Sequence, residues 1–310
     1  MSNYSDKYVI TTGEPNGIGA EITIKALNYL KLPKEKVVVV SNKGILAQNG
    51  SLDIDYEIME VPYDGNVNAG IDTKEGGEFS FQSLRLACEM KPKAIITAPV
   101  SKNAMHLAGH FFNGQTEVLE YFLAKNSQRA EMLFVCEDFR VLLLTRHVPL
   151  SAVNLSSEEI VAKILRLDEF FKTKTSVQTP KIAVCALNPH AGENGVIGRE
   201  ELDVINPALL QLRLQGVDVT DAISADILMS DALRTYLNNG KMKYDCYVAM
   251  YHDQGLIPIK AAGLENVVNM TIGLDIVRTS PSHGTAYDIA GKFIASEMPM
   301  VSAIQQALNI

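Results

Sequence analysis

The sequence predicts an α/β protein with a largely parallel sheet. Short β-branched runs alternate with longer amphipathic stretches almost from end to end, the rhythm of strand, helix, strand. The runs are nearly continuous in apolar character, as strands covered on both faces are. At 310 residues the chain exceeds what one ordinary core serves, which implies two lobes or one large α/β unit.

In chain order, KYVITT (7–12), VVVVS (37–41), AIITAP (94–99), MLFVC (132–136), RVLLLT (140–145), KIAVCAL (181–187) and CYVAMY (246–251) read as buried strands. The Gly-rich turn TTGEPNGIGAEI (11–22) leads from the first strand into a helix over AEITIKALNYL (20–30). GQTEVLEYF (114–122) reads as a loop capping a helix, with Thr116 as its N-cap candidate. SSEEIVAKILRLDEFF (156–171) opens on the capping box Ser156-x-x-Glu159. The polar segment TKTSVQTP (173–180) reads as an exposed loop. GREELDVINPALLQLRLQG (198–216) predicts a helix that stops at its last glycine, and VSAIQQAL (301–308) predicts a closing helix.

Composition bounds the function. A net charge of −8 argues against a nucleic-acid or anionic-membrane surface as the main partner. The stretch MSNYSDKYVITTG has no basic region followed by a long apolar run, so no signal peptide is expected, and no apolar stretch is long enough for a membrane span. The cysteines Cys88, Cys136, Cys185 and Cys246 are far apart and show no metal-ribbon spacing. Buried, reduced thiols in a cytoplasmic protein are the expectation.

Histidine is scarce, six in 310, and its placement is informative. His147 in TRHVPL, His190 in NPHAGENG and His252 in YHDQG each follow the C-terminal end of a separate buried strand. That edge is where open α/β sheets bind ligands. Neutral imidazoles with open positions between them describe a catalytic metal site, while three loop histidines with local hydrogen bonds are the alternative. A second group, Lys260, Asn269 and Arg278, supplies two cations and an amide suited to phosphate or carboxylate oxygens, or else a solvated surface pair. The turn TTGEPNGIG offers backbone N–H groups and a helix N-terminus to an anion, yet departs from both GxGxxG and the P-loop. Gly13, Gly17 and Gly19 serve equally as parts of a tight turn.

Taken together, TTGEPNGIGAEI, TAPVSKNAMHLAG, GQTE, TRHVPL, LNPHAGENGVIGREE, AMYHDQGLIPIK, VNMTIGL and VRTSPSHGTAYDIAG resemble the 4-hydroxythreonine-4-phosphate dehydrogenase (PdxA) family, from residue 11 to about 291. The resemblance implies a two-lobed α/β/α fold similar to the isocitrate and isopropylmalate dehydrogenases, with the active-site cleft between lobes. Residues 1–125 with 275–310 are expected in one lobe and 126–274 in the other. It implies that His147, His190 and His252 bind one divalent metal (zinc, magnesium or cobalt) at a homodimer interface to which both subunits contribute. It assigns Gln115, Thr116, Lys260, Asn269 and Arg278 to substrate, and makes His283, Gly284, Thr285 and Ala286 candidates for NAD or NADP.

Two positions depart from the family. Its usual GHTE is GQTE here, so Gln115 donates a hydrogen bond but carries no positive charge, and its usual SVDHGTA is SPSHGTA, with Ser282 in place of Asp.

The implied reaction is oxidation and decarboxylation of 4-phosphohydroxy-L-threonine to 3-amino-2-oxopropyl phosphate and CO2, a step toward pyridoxal 5'-phosphate. Lys260 or Asp226 is the candidate proton acceptor. The alternatives are a paralogue acting on threonate or erythronate phosphate and, in another class, a phosphate acyltransferase of related fold.

Overall fold

The structure is a computed structural model that describes residues 4–310; residues 1–3, part of the stretch read as carrying no signal peptide, lie outside the described residues. The strands, in chain order, are β1 (Tyr8–Thr11), β2 (Val37–Ser41), β3 (Glu57–Glu60), β4 (Ala94–Thr97), β5 (Glu131–Cys136), β6 (Phe139–Leu143), β7 (Ile182–Cys185), β8 (Val219–Ile223), β9 (Cys246–Ala249), β10 (Val268–Ile272) and β11 (Val277–Pro281). The α-helices are α1 (Gly19–Leu30), α2 (Lys43–Asn49), α3 (Lys74–Glu89), α4 (Lys102–Leu107), α5 (Gln115–Leu123), α6 (Ser157–Lys174), α7 (Asn206–Leu214), α8 (Ala225–Leu237), α9 (His252–Ala262) and α10 (Met298–Leu308). The chain divides into two compact units, Met1–Ala130 with Val268–Asn309, and Glu131–Val267 with Ile310.

In the first unit the strand order is β3-β2-β1-β4-β11-β10, all parallel except the β10–β11 pair. Strand periodicity splits its apolar residues between two faces. Tyr8, Ile10, Val37, Val39, Ala94 and Ile96 pack with Ile22 and Ala26 of α1 and Met300 and Ile304 of α10. Val9, Val38, Val40 and Ile95 pack with Phe79 and Ala87 of α3 and Leu119 of α5. Both faces are covered, which is why these strands are apolar throughout.

In the second unit the order is β5-β6-β9-β7-β8, with β5–β6 antiparallel and the other pairs parallel. Val141, Leu143, Ala183, Cys185, Tyr247 and Ala249 pack with Leu228 and Met229 of α8 and Leu256 and Ile259 of α9. All four cysteines are buried free thiols.

The seven predicted strands are all present. Ser156 caps α6, accepting from Glu159 N–H at 3.2 Å. Three local expectations need correcting. Thr116 is not an N-cap: α5 begins at Gln115 after Gly114, and Thr116 is buried inside its first turn. The helix read over 198–216 stops before Gly216 as expected but opens on a wide π-helical turn, Glu201–Ile205, that passes without a break into α7, with Pro207 in the first turn of α7. The loop read from 173 begins two residues later, because α6 runs to Lys174.

Candidate active site

The second unit carries His147, His190 and His252 beyond the C-terminal ends of β6, β7 and β9, which lie side by side as β6-β9-β7. Two polar side chains tie these exits together. Thr145 donates through Oγ1 to Met250 O at 2.7 Å, tying the His147 exit to the His252 exit. Gln254 accepts from Met250 N–H at 2.7 Å and donates to Ala186 O at 2.8 Å, so its amide continues the ladder between the β9 and β7 exits.

The rings of His147 and His252 lie 5.6 Å apart, centroid to centroid, at 46°. His252 Nδ1 meets Asp253 Oδ1 at 2.7 Å, the arrangement in which a carboxylate orients an imidazole and leaves Nε2 as the free ligand atom. That donor chemistry fits a divalent metal. Among the described residues, no three His, Cys, Asp or Glu side chains of one chain come close enough to hold a metal ion. In one copy the His147 and His252 rings are close, and the three histidines do not form one metal-binding group.

His190 stands on unusual backbone. His190, Ala191, Glu193 and Asn194 have φ of 51°, 54°, 43° and 55°, with Gly192 between them at 76°, so the PHAGENG segment winds left-handed. For L-residues this costs roughly 1–2 kcal/mol each, and it persists only where the surroundings over-determine it. Asp226, at the start of α8, is held below the usual carboxylate range first by the Ser224 hydroxyl, which donates at 2.6 Å, then by Ile227 N–H, with His190 adding a smaller pull. Lys260 sits eight residues along α9 from His252, about 12 Å of axial rise. The structure does not bring it to His252 within one copy.

The first unit holds the other substrate candidates. Arg278 is 3% exposed, and its Nε donates to Thr97 Oγ1 at 2.8 Å. Burial pushes its guanidinium down to about 9, partly opposed by Glu117, so it stays charged at neutral pH. One residue beyond Thr97, Ala98 O accepts from Gln115 Nε2 at 3.2 Å. The end of β4 thus draws Gln115 and Arg278 together, with Thr116 beside them on α5. Across the antiparallel pair, Arg278 faces Thr271 and Ser280 faces Asn269. Gln115 Oε1, Asn269 Oδ1 and Thr271 Oγ1 are buried without a hydrogen-bond partner. The buried Arg278 cation suits an anionic group of a ligand, while the unsatisfied amide oxygens of Gln115 and Asn269 suit a hydroxyl or ammonium donor.

The candidate nucleotide loop, also in the first unit, packs on the Gly-rich turn: Ile18 N–H donates to Thr285 O at 3.1 Å. Gly284 has open space where a side chain would be, and His283 bonds locally, Nδ1 to Gly284 O at 2.9 Å. Ala286 is left-handed at φ 47°. The open side at Gly284 lets a ligand approach the backbone there. The glycines of the turn itself serve packing: a Cβ on Gly13, at φ 68°, would lie 2.2 Å from Pro99 O, and one on Gly19 would lie 2.1 Å from Thr12 O.

Sequence reasoning missed Thr145, Gln254, Thr97 and Thr271. Gln254 was within reach, since it stands inside YHDQG two residues after His252. Thr271 and Thr97 show nothing until strand register is known.

The sequence profile of the family described as pyridoxal phosphate biosynthetic protein PdxA matches residues 7–307. The chain is 39% identical to the 4-hydroxythreonine-4-phosphate dehydrogenase of a Sulfurihydrogenibium species, over 97% of each chain. It is 34% identical to the D-threonate 4-phosphate dehydrogenase of Cupriavidus necator, over 100% of this chain and 98% of that one. The crystal structure of 4-hydroxythreonine-4-phosphate dehydrogenase from Klebsiella pneumoniae superposes with a TM-score of 0.84 at 34% identity, covering 98% of this chain and 99% of that one.

Proposed function

The chain belongs to the PdxA family, and from that premise we propose that it oxidises and decarboxylates 4-phosphohydroxy-L-threonine to 3-amino-2-oxopropyl phosphate and CO2, using NAD or NADP and a divalent metal held by His147, His190 and His252. It is an oxidoreductase of pyridoxal phosphate synthesis. The observation that carries the mechanism is the exit of three histidines from three adjacent parallel strands.

When bound, a zinc, magnesium or cobalt ion supplies charge stabilisation to the reacting carbinol oxygen, and the nucleotide supplies the hydride acceptor. The chain's own residues do the rest. Arg278 holds an anionic group of the substrate, and Asn269, Thr116 and Gln115 bond its other polar groups, which together fix the carbinol's place. Lys260, in its neutral form, or Asp226 takes the hydroxyl proton. His283, Gly284, Thr285 and Ala286 hold the nucleotide. One chain does not gather the three histidines into one group, and Lys260 and His252 stand near opposite ends of α9; both support a second copy completing the site in a homodimer. Among the described residues no helix is long and apolar enough to cross a membrane, and four buried free thiols suit the reducing cytoplasm.

A second reading, D-threonate 4-phosphate as substrate, is supported by the similarity to dehydrogenases of that substrate, and it turns on Gln115. Its Nε2 is committed to Ala98 O, so it presents an uncharged acceptor oxygen where the family's usual histidine stands. Replacing His190 by Ala tests the main reading: metal-dependent turnover should vanish, and full activity of a chelator-treated variant would contradict it.

A further inference from the structure

The left-handed turn that carries His190 is bonded before the histidine, and closely packed after it, against one carboxylate. Glu201 opens the π-helical turn and is 2% exposed. Its Oε1 accepts from Leu187 N–H and Asn188 N–H, each at 2.8 Å, and its Oε2 accepts from Asn188 Nδ2 at 2.9 Å. The two backbone donors lie between the end of β7 and Pro189, where the strand ladder has stopped. Asn188 also donates to Glu200 Oε2 at 2.6 Å, which fixes its amide. Past the histidine, Gly192 closes on the same group: a Cβ there would lie 2.7 Å from Glu201 Oε2 and 2.8 Å from Gly198 O, at φ +76°.

We infer that Glu201 is a positioning residue for His190: it fixes the left-handed turn that presents the imidazole, while touching neither metal nor substrate. The inference rests on the reading of His190 as a metal ligand. A run of left-handed L-residues does not hold itself. It needs something rigid on either side, and Glu201 is the group bonded before the histidine and packed after it. Its hydrogen-bond donors are all amides, so the carboxylate is oriented by geometry rather than by a mobile cation. Groups that orient a ligand from behind typically change metal affinity 10- to 100-fold when removed.

The test is cobalt binding by the whole metal-free protein, read as a dissociation constant and as the visible absorption of the bound ion, beside the melting temperature of each metal-free variant. Glu201→Ala should weaken cobalt binding about tenfold or more. Glu201→Gln keeps an acceptor for both backbone N–H groups but sets a second donor against Asn188 Nδ2, so its affinity should fall between wild type and Glu201→Ala. Gly192→Ala, which presses on the clamp from the other side, should lose about tenfold and supplies the same test if Glu201→Ala does not fold. Unchanged cobalt affinity in whichever of Glu201→Ala and Gly192→Ala folds would overturn the inference, whatever their melting temperatures do. A Gln variant as impaired as the Ala variant would also overturn it. His190→Ala is the control: if it binds cobalt like wild type, the ligand reading itself fails. If it loses cobalt while the clamp variants keep it, only the positioning role fails.

Discussion

Glu14 lies fully buried in the turn between β1 and α1, where its carboxylate accepts from Asn16 N–H at 3.3 Å and Ser80 Oγ at 3.4 Å. Burial pushes it up to about 7; the Asn16 bond opposes this, Asp72 adds to it, and the Ser80 bond opposes it weakly. A carboxyl with a raised folded-state pKa holds its proton more tightly when folded. Its contribution is therefore fully present below the unfolded value and is lost as pH rises through 7. Glu14→Gln should be close to neutral at about pH 4 and stabilising by up to about 3 kcal/mol at about pH 8. Urea melts at both pH values check this. Arg278 shows the opposite relation between stability and use, because a buried guanidinium favours a bound anion at the expense of the empty protein. Arg278→Met should leave the melting temperature unchanged or higher. It should lower kcat/KM for the phosphorylated substrate roughly 10- to 150-fold, the loss of about 1.5–3 kcal/mol of charged hydrogen bonding.

At the level of elements, close packing overrides local propensity. Gly77 lies within α3, where Ala would favour the helix by about 1 kcal/mol. A Cβ there would stand 1.9 Å from Ala104 O of α4, backbone against helix, and neither side can yield. Gly77→Ala should lower stability by about 2 kcal/mol or more despite the better propensity, read as a fall in melting temperature. The same contest explains what could be read from sequence. VVVVS and CYVAMY announce themselves because both faces of those strands are buried. VNMTI and VRTSP do not, since Asn269, Thr271, Arg278 and Ser280 put polar groups on one face of β10 and β11. Glu57–Glu60 is a half-exposed edge with no apolar run. Pro258 inside α9 and the Gly76–Gly77 pair inside α3 hid two helices behind residues that usually end them. The histidines themselves were legible from strand-end placement. The left-handed turn under His190 was not, because Ala191 and Glu193 carry no signal for positive φ.

Over the whole molecule, the candidate metal ligands and Lys260 belong to one compact unit, and Gln115, Thr116, Asn269, Arg278 and the nucleotide loop belong to the other. The chain is acidic overall, yet its buried Arg278 is placed for an anion, so local structure and not net charge selects the ligand. Light scattering should give about twice the 33.9 kDa chain mass if a second copy completes the site. The most direct test of the central claim is nucleotide reduction by chelator-treated protein, with and without restored divalent metal, on 4-phosphohydroxy-L-threonine and D-threonate 4-phosphate side by side. Metal-dependent turnover with the higher kcat/KM on 4-phosphohydroxy-L-threonine is expected. Undiminished turnover without metal, or a preference for D-threonate 4-phosphate, would contradict that claim.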